Sequence, residues 1–310
     1  MKTIEALEQD ILLQVPFLHR FKAQKPIPIQ KQQKSIICGT GDSYAAALLG
    51  EAFSDFRIRA IDPLDVTKNQ NLAKNHAYLV SISGNTISNI RAAKIAKSAT
   101  AITANRNSRL AKACSRIISL GYPSSGVFTS GSIGFLSSAL TCISLATRLC
   151  IDNPSHLFLD ALAEARKIKI KNKVFFLGNQ YTFPIAMYAA AKLYEVLGID
   201  AHYEKIEQFS HMGLFCAKKG DTVIIFEEKN RHTIQLVRTL KKIGLNVILV
   251  EPKTNDKVRA IIFFIFVSQL VPLYHAKAKH QKECYFINAK KIRAASSDMK
   301  IGRASCRERV

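Results

Sequence analysis

Residues 77–86 read Ala77-Tyr78-Leu79-Val80-Ser81-Ile82-Ser83-Gly84-Asn85-Thr86, and a helical pattern, ISNIRAAKIAK, follows at once. An apolar run that ends in small hydroxyl residues and a glycine, then enters a helix, is one strand–loop–helix step of a parallel α/β sheet. Such a loop collects unpaired backbone N–H groups, hydroxyls and the positive end of a helix dipole at one point. That point suits an anion, most often a phosphate. Ser, Thr and Asn are also the favoured N-caps of any helix, and on this stretch alone plain capping is the stronger reading.

Working outward, apolar β-rich runs alternate with helical patterns along the chain. In the first half the pattern predicts strands over 34–38, 58–61, 78–81, 99–103 and 116–120, with helices at YAAALLGEAF and SALTCISLATRLC. The segment Ile151-Asp152-Asn153-Pro154-Ser155 interrupts it and marks a domain boundary. The second half restarts with strands predicted over 173–177, 222–226 and 246–250, and helices at PIAMYAAAKLYEVLG and TIQLVRTLKKIG. A further apolar run, Arg259–Val267, precedes a last helix at SQLVPLYHAKAK. The expectation is an α/β protein of two tandem doubly wound, flavodoxin-like parallel-sheet subdomains, 1–152 and 153–300. Ligands of open α/β sheets bind beyond the carboxyl ends of the strands. There the short loops 38–43, 81–86, 103–105, 124–132 and 178–181 are rich in Ser, Thr and Gly, which raises the phosphate reading above capping.

Composition narrows the class. Of 310 residues, 45 are Lys or Arg and 23 Asp or Glu, a formal charge of +22 that attracts anions of any size. The basic residues are dispersed rather than gathered with aromatics, which favours a small anion over nucleic acid. Seven cysteines show no CxxC and no zinc spacing, so no metal site is expected and a reducing, cytoplasmic compartment is. The most apolar run, Ile261–Val267, is read as too short to span a membrane, and no basic-then-apolar leader opens the sequence.

At this point the motifs resemble those of the SIS (sugar isomerase) domain family over most of the chain. ICGTGDSYAAA resembles the family's first strand–loop–helix, SISGNT its phosphate loop and GVFTSGS its third contact loop. LGNQYTFPIAMYAAAKLYE with EQFSHMGLF is similar to the second SIS half of the isomerase part of glucosamine-6-phosphate synthase. The GTGDS loop also leans toward archaeal stand-alone SIS phosphosugar isomerases. The resemblance implies that Ser43, Ser81, Ser83 and Thr86 hold a phosphate and that Gly39, Thr40, Thr129 and Ser130 contact the sugar. No cofactor is implied. Hydroxyls and glycine-freed N–H groups at a helix start can indeed grip a phosphate without a metal.

Moving a carbonyl between C1 and C2 of a phosphosugar needs a base, a ring-opening acid/base group and something to stabilise the enediolate. The resemblance makes Glu195 the base, on a helix face shared with Lys192 and Tyr188. Without it, a surface Lys–Glu pair would be the reading. His211 follows sixteen residues later, at the family's spacing for its ring-opening histidine, and imidazole titrates near neutrality. Lys290, in Phe286-Ile287-Asn288-Ala289-Lys290-Lys291, falls where the family's closing lysine covers the sugar. Tyr188 stands where the synthase has a second glutamate, and no glutaminase segment precedes, so glutamine-dependent amino transfer is not expected.

The expected activity is therefore aldose–ketose isomerisation of a sugar phosphate by a homodimer, with His211 presented across the interface. A non-catalytic phosphosugar-binding regulator is the alternative, and salt-sensitive nucleic-acid binding ranks third. The last ten residues, 301–310, lack an apolar period and resemble the translation of a sequencing adaptor. They are set aside as a non-native tail.

Overall fold

The protein is described here by a computed structural model of residues 1–299, so the reading of 301–310 lies outside the described residues. The first sheet contains β1 (Ser35–Cys38), β2 (Arg59–Ile61), β3 (His76–Val80), β4 (Ser98–Thr103) and β5 (Arg116–Ser119), in the order β2-β1-β3-β4-β5. The second contains β6 (Val174–Leu177), β7 (Ala201–Glu204), β8 (Thr222–Phe226) and β9 (Asn246–Val250), in the order β7-β6-β8-β9. Every pairing is parallel. Strands buried on both faces read as continuous apolar runs, as in SIIC of β1 and TVIIF of β8, every residue of which is buried.

The first order is the flavodoxin winding, and the second is the same winding one strand short. Its topological switch point lies between β1 and β3, and between β6 and β8 in the second sheet. There the chain leaves neighbouring strands toward opposite faces and opens a crevice at their carboxyl ends. The loops starting at Gly39 and Ser81 are therefore brought together by topology, with Cys38 of β1 in register with Leu79 of β3.

Contacts divide the chain into two compact units that are not consecutive in sequence. One holds the first sheet and comprises Phe21–Pro123, Ile133–Leu149 and the described residues from Phe286 to Met299. The other holds the second sheet and comprises Met1–Arg20, Ser124–Ser132 and Cys150–Tyr285. Residues 1–20 and 124–132 thus fold with the second sheet although they precede it by far in the chain. One core packs Ile36, Cys38, Ala77, Leu79, Ala99 and Ala101 of the first sheet against Val66, Ile90 and Leu110. Its counterpart packs Phe175, Leu177, Val223, Ile225 and Val247 against Ile206, Phe209 and Leu240. Each fully buried aliphatic side chain contributes about 1.5–3 kcal/mol.

The duplication is visible atom by atom at the first turn of each unit. A Cβ on Gly39 would lie 2.4 Å from the carbonyl oxygen of Ser43, and one on Gly178 would lie 2.6 Å from that of Thr182. Two residues further on, Gly41 and Gln180 both take positive φ, 57° and 43°. In each unit the helix start folds back onto a glycine too closely for any side chain.

Two differences from the sequence reading concern elements. β7 was not anticipated, because its residues Ala201-His202-Tyr203-Glu204 form a half-exposed edge strand without an apolar run. The apolar run Arg259–Val267 and the last helix are one continuous helix, Lys257–Ala278, with Pro272 inside it. At 22 residues this helix is long and apolar enough to cross a membrane, contrary to the expectation from residues 261–267 alone. It serves as a core helix: 83% of its most apolar window is buried, against Pro154–Lys167, Phe183–Leu197 and Thr3–Leu12.

Candidate functional site

In the first-sheet unit, the loop after β3 is organised by its own hydroxyls. Ser81 Oγ lies 3.0 Å from Thr86 Oγ1 and accepts the Gly84 N–H at 3.2 Å. Ser81 is buried, while Ser83 is exposed and accepts the Asn85 N–H. Thr86 occupies the N-cap of the helix Ile87–Ile95 yet makes no side-chain cap bond. The same holds for the helix after β1, Asp42–Phe53, whose N-cap is Gly41 and whose first turn carries the half-buried Ser43. Some other helices are capped by a side chain, Asp62, Ser108, Asn230 and Asp256 each accepting a first-turn N–H, while those that start after Asn153, Thr182 and Lys205 are not. At the first switch point the hydroxyls bond one another instead. The N-cap residues of both helices there make no side-chain cap bond, although in the first helix the N–H groups of Ser43, Tyr44 and Ala45 already reach the carbonyls of Thr40 and Gly41.

Gly84 makes this loop possible. Its φ is +65°, and a Cβ there would lie 2.0 Å from Ser108 Oγ. Gly84→Ala is expected to cost about 2 kcal/mol or more and to deform the 81–86 loop, read as a drop in thermal midpoint together with weaker anion binding.

The second switch point carries different groups. Where the first unit has Ser81 to Thr86, the second has Glu227, Glu228 and a capped helix, Asn230 accepting from Thr233 N–H at 3.0 Å. Thr182, the counterpart of Ser43, donates to Glu227 Oε1 at 3.3 Å. Burial pushes the Glu227 carboxyl above its ordinary range, opposed by the hydrogen bonds from Thr182 and Asn179. Burial, with Glu228 and Glu227 adding to it, pushes the Tyr181 phenol up to about 12. A carboxylate of the protein itself, Glu227, thus takes the hydrogen bond of the Thr182 hydroxyl at this switch point.

The second-sheet unit carries a different chemistry. The helix Phe183–Leu197 starts with Pro184 in its first turn and stops at Gly198, whose φ of 66° forms the left-handed cap. Tyr188 and Lys192 lie one turn apart on its inner face and are 0% and 1% exposed. Lys192 Nζ donates to Glu195 Oε2 at 2.6 Å and sits 4.9 Å from the centre of the Tyr188 ring. Ser130 Oγ donates to the same carboxylate oxygen at 2.6 Å, and Tyr188 Oη donates to the Gly131 carbonyl at 2.7 Å. A buried ammonium needs a paired charge, and the half-exposed Glu195 supplies it. Both of these bonds fall on Oε2.

Other predicted residues are placed less centrally. Thr129 Oγ1 donates to the Thr3 carbonyl at 2.7 Å, so a sugar contact there would use its lone pairs. His211 ends the short helix Ile206–His211 with 71% of its side chain exposed, and its ring bonds Glu207 at 3.1 Å. Exposed Met212 and Phe215 follow it. Lys290 is exposed in the first turn of the helix Lys290–Asp298, in the first-sheet unit. Gly39 and Thr40 lie in the turn that leads into Ser43, Gly39 buried and Thr40 exposed. Among the described residues no cluster of three or more His, Cys, Asp or Glu side chains is placed to hold a metal ion. The sequence reading missed Gln269, which donates to Tyr188 Oη at 3.0 Å and accepts from Gln14 at 2.6 Å. Its signal was a lone amide in the apolar run FFIFVSQLV.

Solved structures of this fold include glucosamine-6-phosphate deaminase from Thermotoga maritima, with a TM-score of 0.74 and 20% identity over 91% of this chain and 96% of that one. The C-terminal domain of glucosamine-fructose-6-phosphate aminotransferase from Francisella tularensis gives 0.67 and 17%, over 91% and 95%. Tagatose-6-phosphate ketose/aldose isomerase from Escherichia coli gives 0.62 and 15%, over 90% and 91%. At these identities the likeness is one of fold. No curated protein matches in sequence. The sequence itself is recognised where the helix of Glu195 and the loop of His211 lie: residues 167–258 match the family model of the SIS domain.

Proposed function

We propose that this protein binds a sugar phosphate and interconverts its aldose and ketose forms through an enediolate, with Glu195 as the base. The observation that carries the reading is the clasp on Glu195 Oε2 by the buried Lys192 and by Ser130. A carboxylate held in one orientation by two donors, on a helix stiffened by Tyr188, can take a proton from C2 and return it to C1. The phosphate contacts in this reading are the hydroxyls of Ser43, Ser81, Ser83 and Thr86, on loops that lead into helix starts. Gly39, Thr40, Thr129 and Ser130 contact the sugar, and Lys290 stabilises the enediolate oxygen. The names of the three structures of like fold given above each contain a hexose 6-phosphate, which supports that ligand class. Conversion of hexose 6-phosphates, followed by 13C NMR, tests the reading; binding without conversion by any of them would refute the isomerase.

His211 favours a second reading. Its exposure leaves the ring-opening group on the surface, as in a binding protein without turnover. The enzyme reading resolves this with a homodimer, in which exposed His211, Met212 and Phe215 meet a second copy. Mixing inactive His211→Ala and Glu195→Gln subunits should then restore up to about a quarter of the activity, from sites that combine intact residues of both copies. Mixtures that stay inactive while subunits demonstrably exchange would place His211 outside the site. The six free cysteines among the described residues support a reducing, cytoplasmic location, and the buried Cys38 and Cys142 thiols are pushed up to about 12 by desolvation.

A further inference from the structure

The loop that carries Ser130 is held, within the second-sheet unit, by residues from the start of the chain. Asp10, 7% exposed, accepts the Ser125 N–H at 2.6 Å. The Thr3 carbonyl accepts the Thr129 hydroxyl at 2.7 Å. Gln14, fully buried, donates to Gln269, which donates to Tyr188, which in turn donates to the Gly131 carbonyl. Three grips thus reach positions 125, 129 and 131, on either side of Ser130, which donates to Glu195.

We infer that residues 3–14 act as a strap that fixes the 124–132 loop where Ser130 meets Glu195, with Asp10 and Gln14 as positioning residues. The functional part of this inference rests on reading Glu195 as the base; the structural part does not. The strap is itself anchored. Thr3 Oγ1 donates to Glu283 Oε2 at 2.7 Å and accepts the Cys284 N–H at 2.7 Å, the Thr3 N–H donates to Glu283 at 3.0 Å, and Ile4 N–H donates to the Lys282 carbonyl. The helix Thr3–Leu12 packs on Lys257–Ala278, so the loop is tied to the most buried helix of the unit.

Asp10 is an expensive residue for packing alone. Burial drives its carboxyl above the ordinary range, opposed by the bonds from Ser125. A buried carboxylate spent on one loop amide indicates that the position of the loop matters. Gln14 and Gln269 make the same point: apolar side chains would fill that space without needing partners.

The test compares Asp10→Ala with Asp10→Asn, which keeps an acceptor for Ser125, by hydrogen exchange of the full-length protein. The expected result is exchange in 124–132 about tenfold faster or more in Asp10→Ala, near wild type in Asp10→Asn, with 257–278 unchanged in both. Gln14→Met is the second variant and should speed exchange around Gly131 if Asp10→Ala does not fold. Where turnover is measurable, kcat should fall in Asp10→Ala and recover in Asp10→Asn, with KM nearly constant. Unchanged exchange in 124–132 for both Asp10→Ala and Gln14→Met would overturn the strap. Faster exchange with no turnover in the wild type would leave the strap standing and overturn the isomerase reading instead.

Discussion

Glu195→Gln lowers aldose–ketose turnover by about 10²–10⁴-fold, the contribution usual for a positioned general base, while sugar-phosphate affinity changes little. The amide keeps the shape of the carboxylate and still accepts from Lys192 and Ser130, so the loss falls on proton transfer and not on geometry. It also removes the carboxylate charge paired with the buried Lys192 ammonium, and some loss of thermal stability accompanies the kinetic effect. Because Glu195 is partly open to solvent, that loss is smaller than for a fully buried pair. Steady-state kinetics with a parallel binding isotherm separates the two. A fall in affinity equal to the fall in turnover would make Glu195 a binding residue.

The double replacement Ser81→Ala, Ser83→Ala weakens binding of a sugar phosphate by about 10²–10⁴-fold, since each hydrogen bond to a charged group contributes about 1.5–3 kcal/mol. The two serines act differently. Ser81 shapes the loop through Gly84 and Thr86, whereas exposed Ser83 is free to meet a ligand directly. Ser83→Ala alone should therefore weaken binding with no change in thermal midpoint, and Ser81→Ala should affect both. Calorimetric titration with the phosphate and with the unphosphorylated sugar provides the check: only the phosphate should respond. Equal weakening of both ligands would move the anion away from this loop.

Much of the fold was legible because parallel strands announce themselves. SIIC and TVIIF need no periodicity to be read as buried strands, and the small residues Gly39, Thr40 and Gly41 after SIIC mark a carboxyl end. The helix Lys257–Ala278 misled for a related physical reason: covered on several sides, it lacks the one-faced pattern by which helices are recognised. β7 was silent because an edge strand with alternating exposure carries little apolar signal. Of the candidate site, the Lys192–Glu195 pair is local, three residues apart on one helix, and could be read. Whether it was surface or buried could not, since burial comes from the fold around it. Ser130 reaching Glu195, Asp10 reaching Ser125 and Gln14 reaching Gln269 join residues 65, 115 and 255 apart, and no local pattern encodes such contacts. The asymmetry between the two switch points was present in the sequence as SISGNT against FEEKN, but it became readable only once the winding of the two sheets was seen to be the same.

The central claim, a proton moved between adjacent carbons by a fixed carboxylate, is tested most directly by isotope exchange. The wild-type protein is incubated in deuterated water with fructose 6-phosphate and with other hexose 6-phosphates, and deuterium at C1 and C2 is followed by NMR. The account predicts deuterium at one of these carbons for at least one hexose phosphate, and its disappearance in Glu195→Gln. Measurable binding with no deuterium at either carbon for any of them would contradict it.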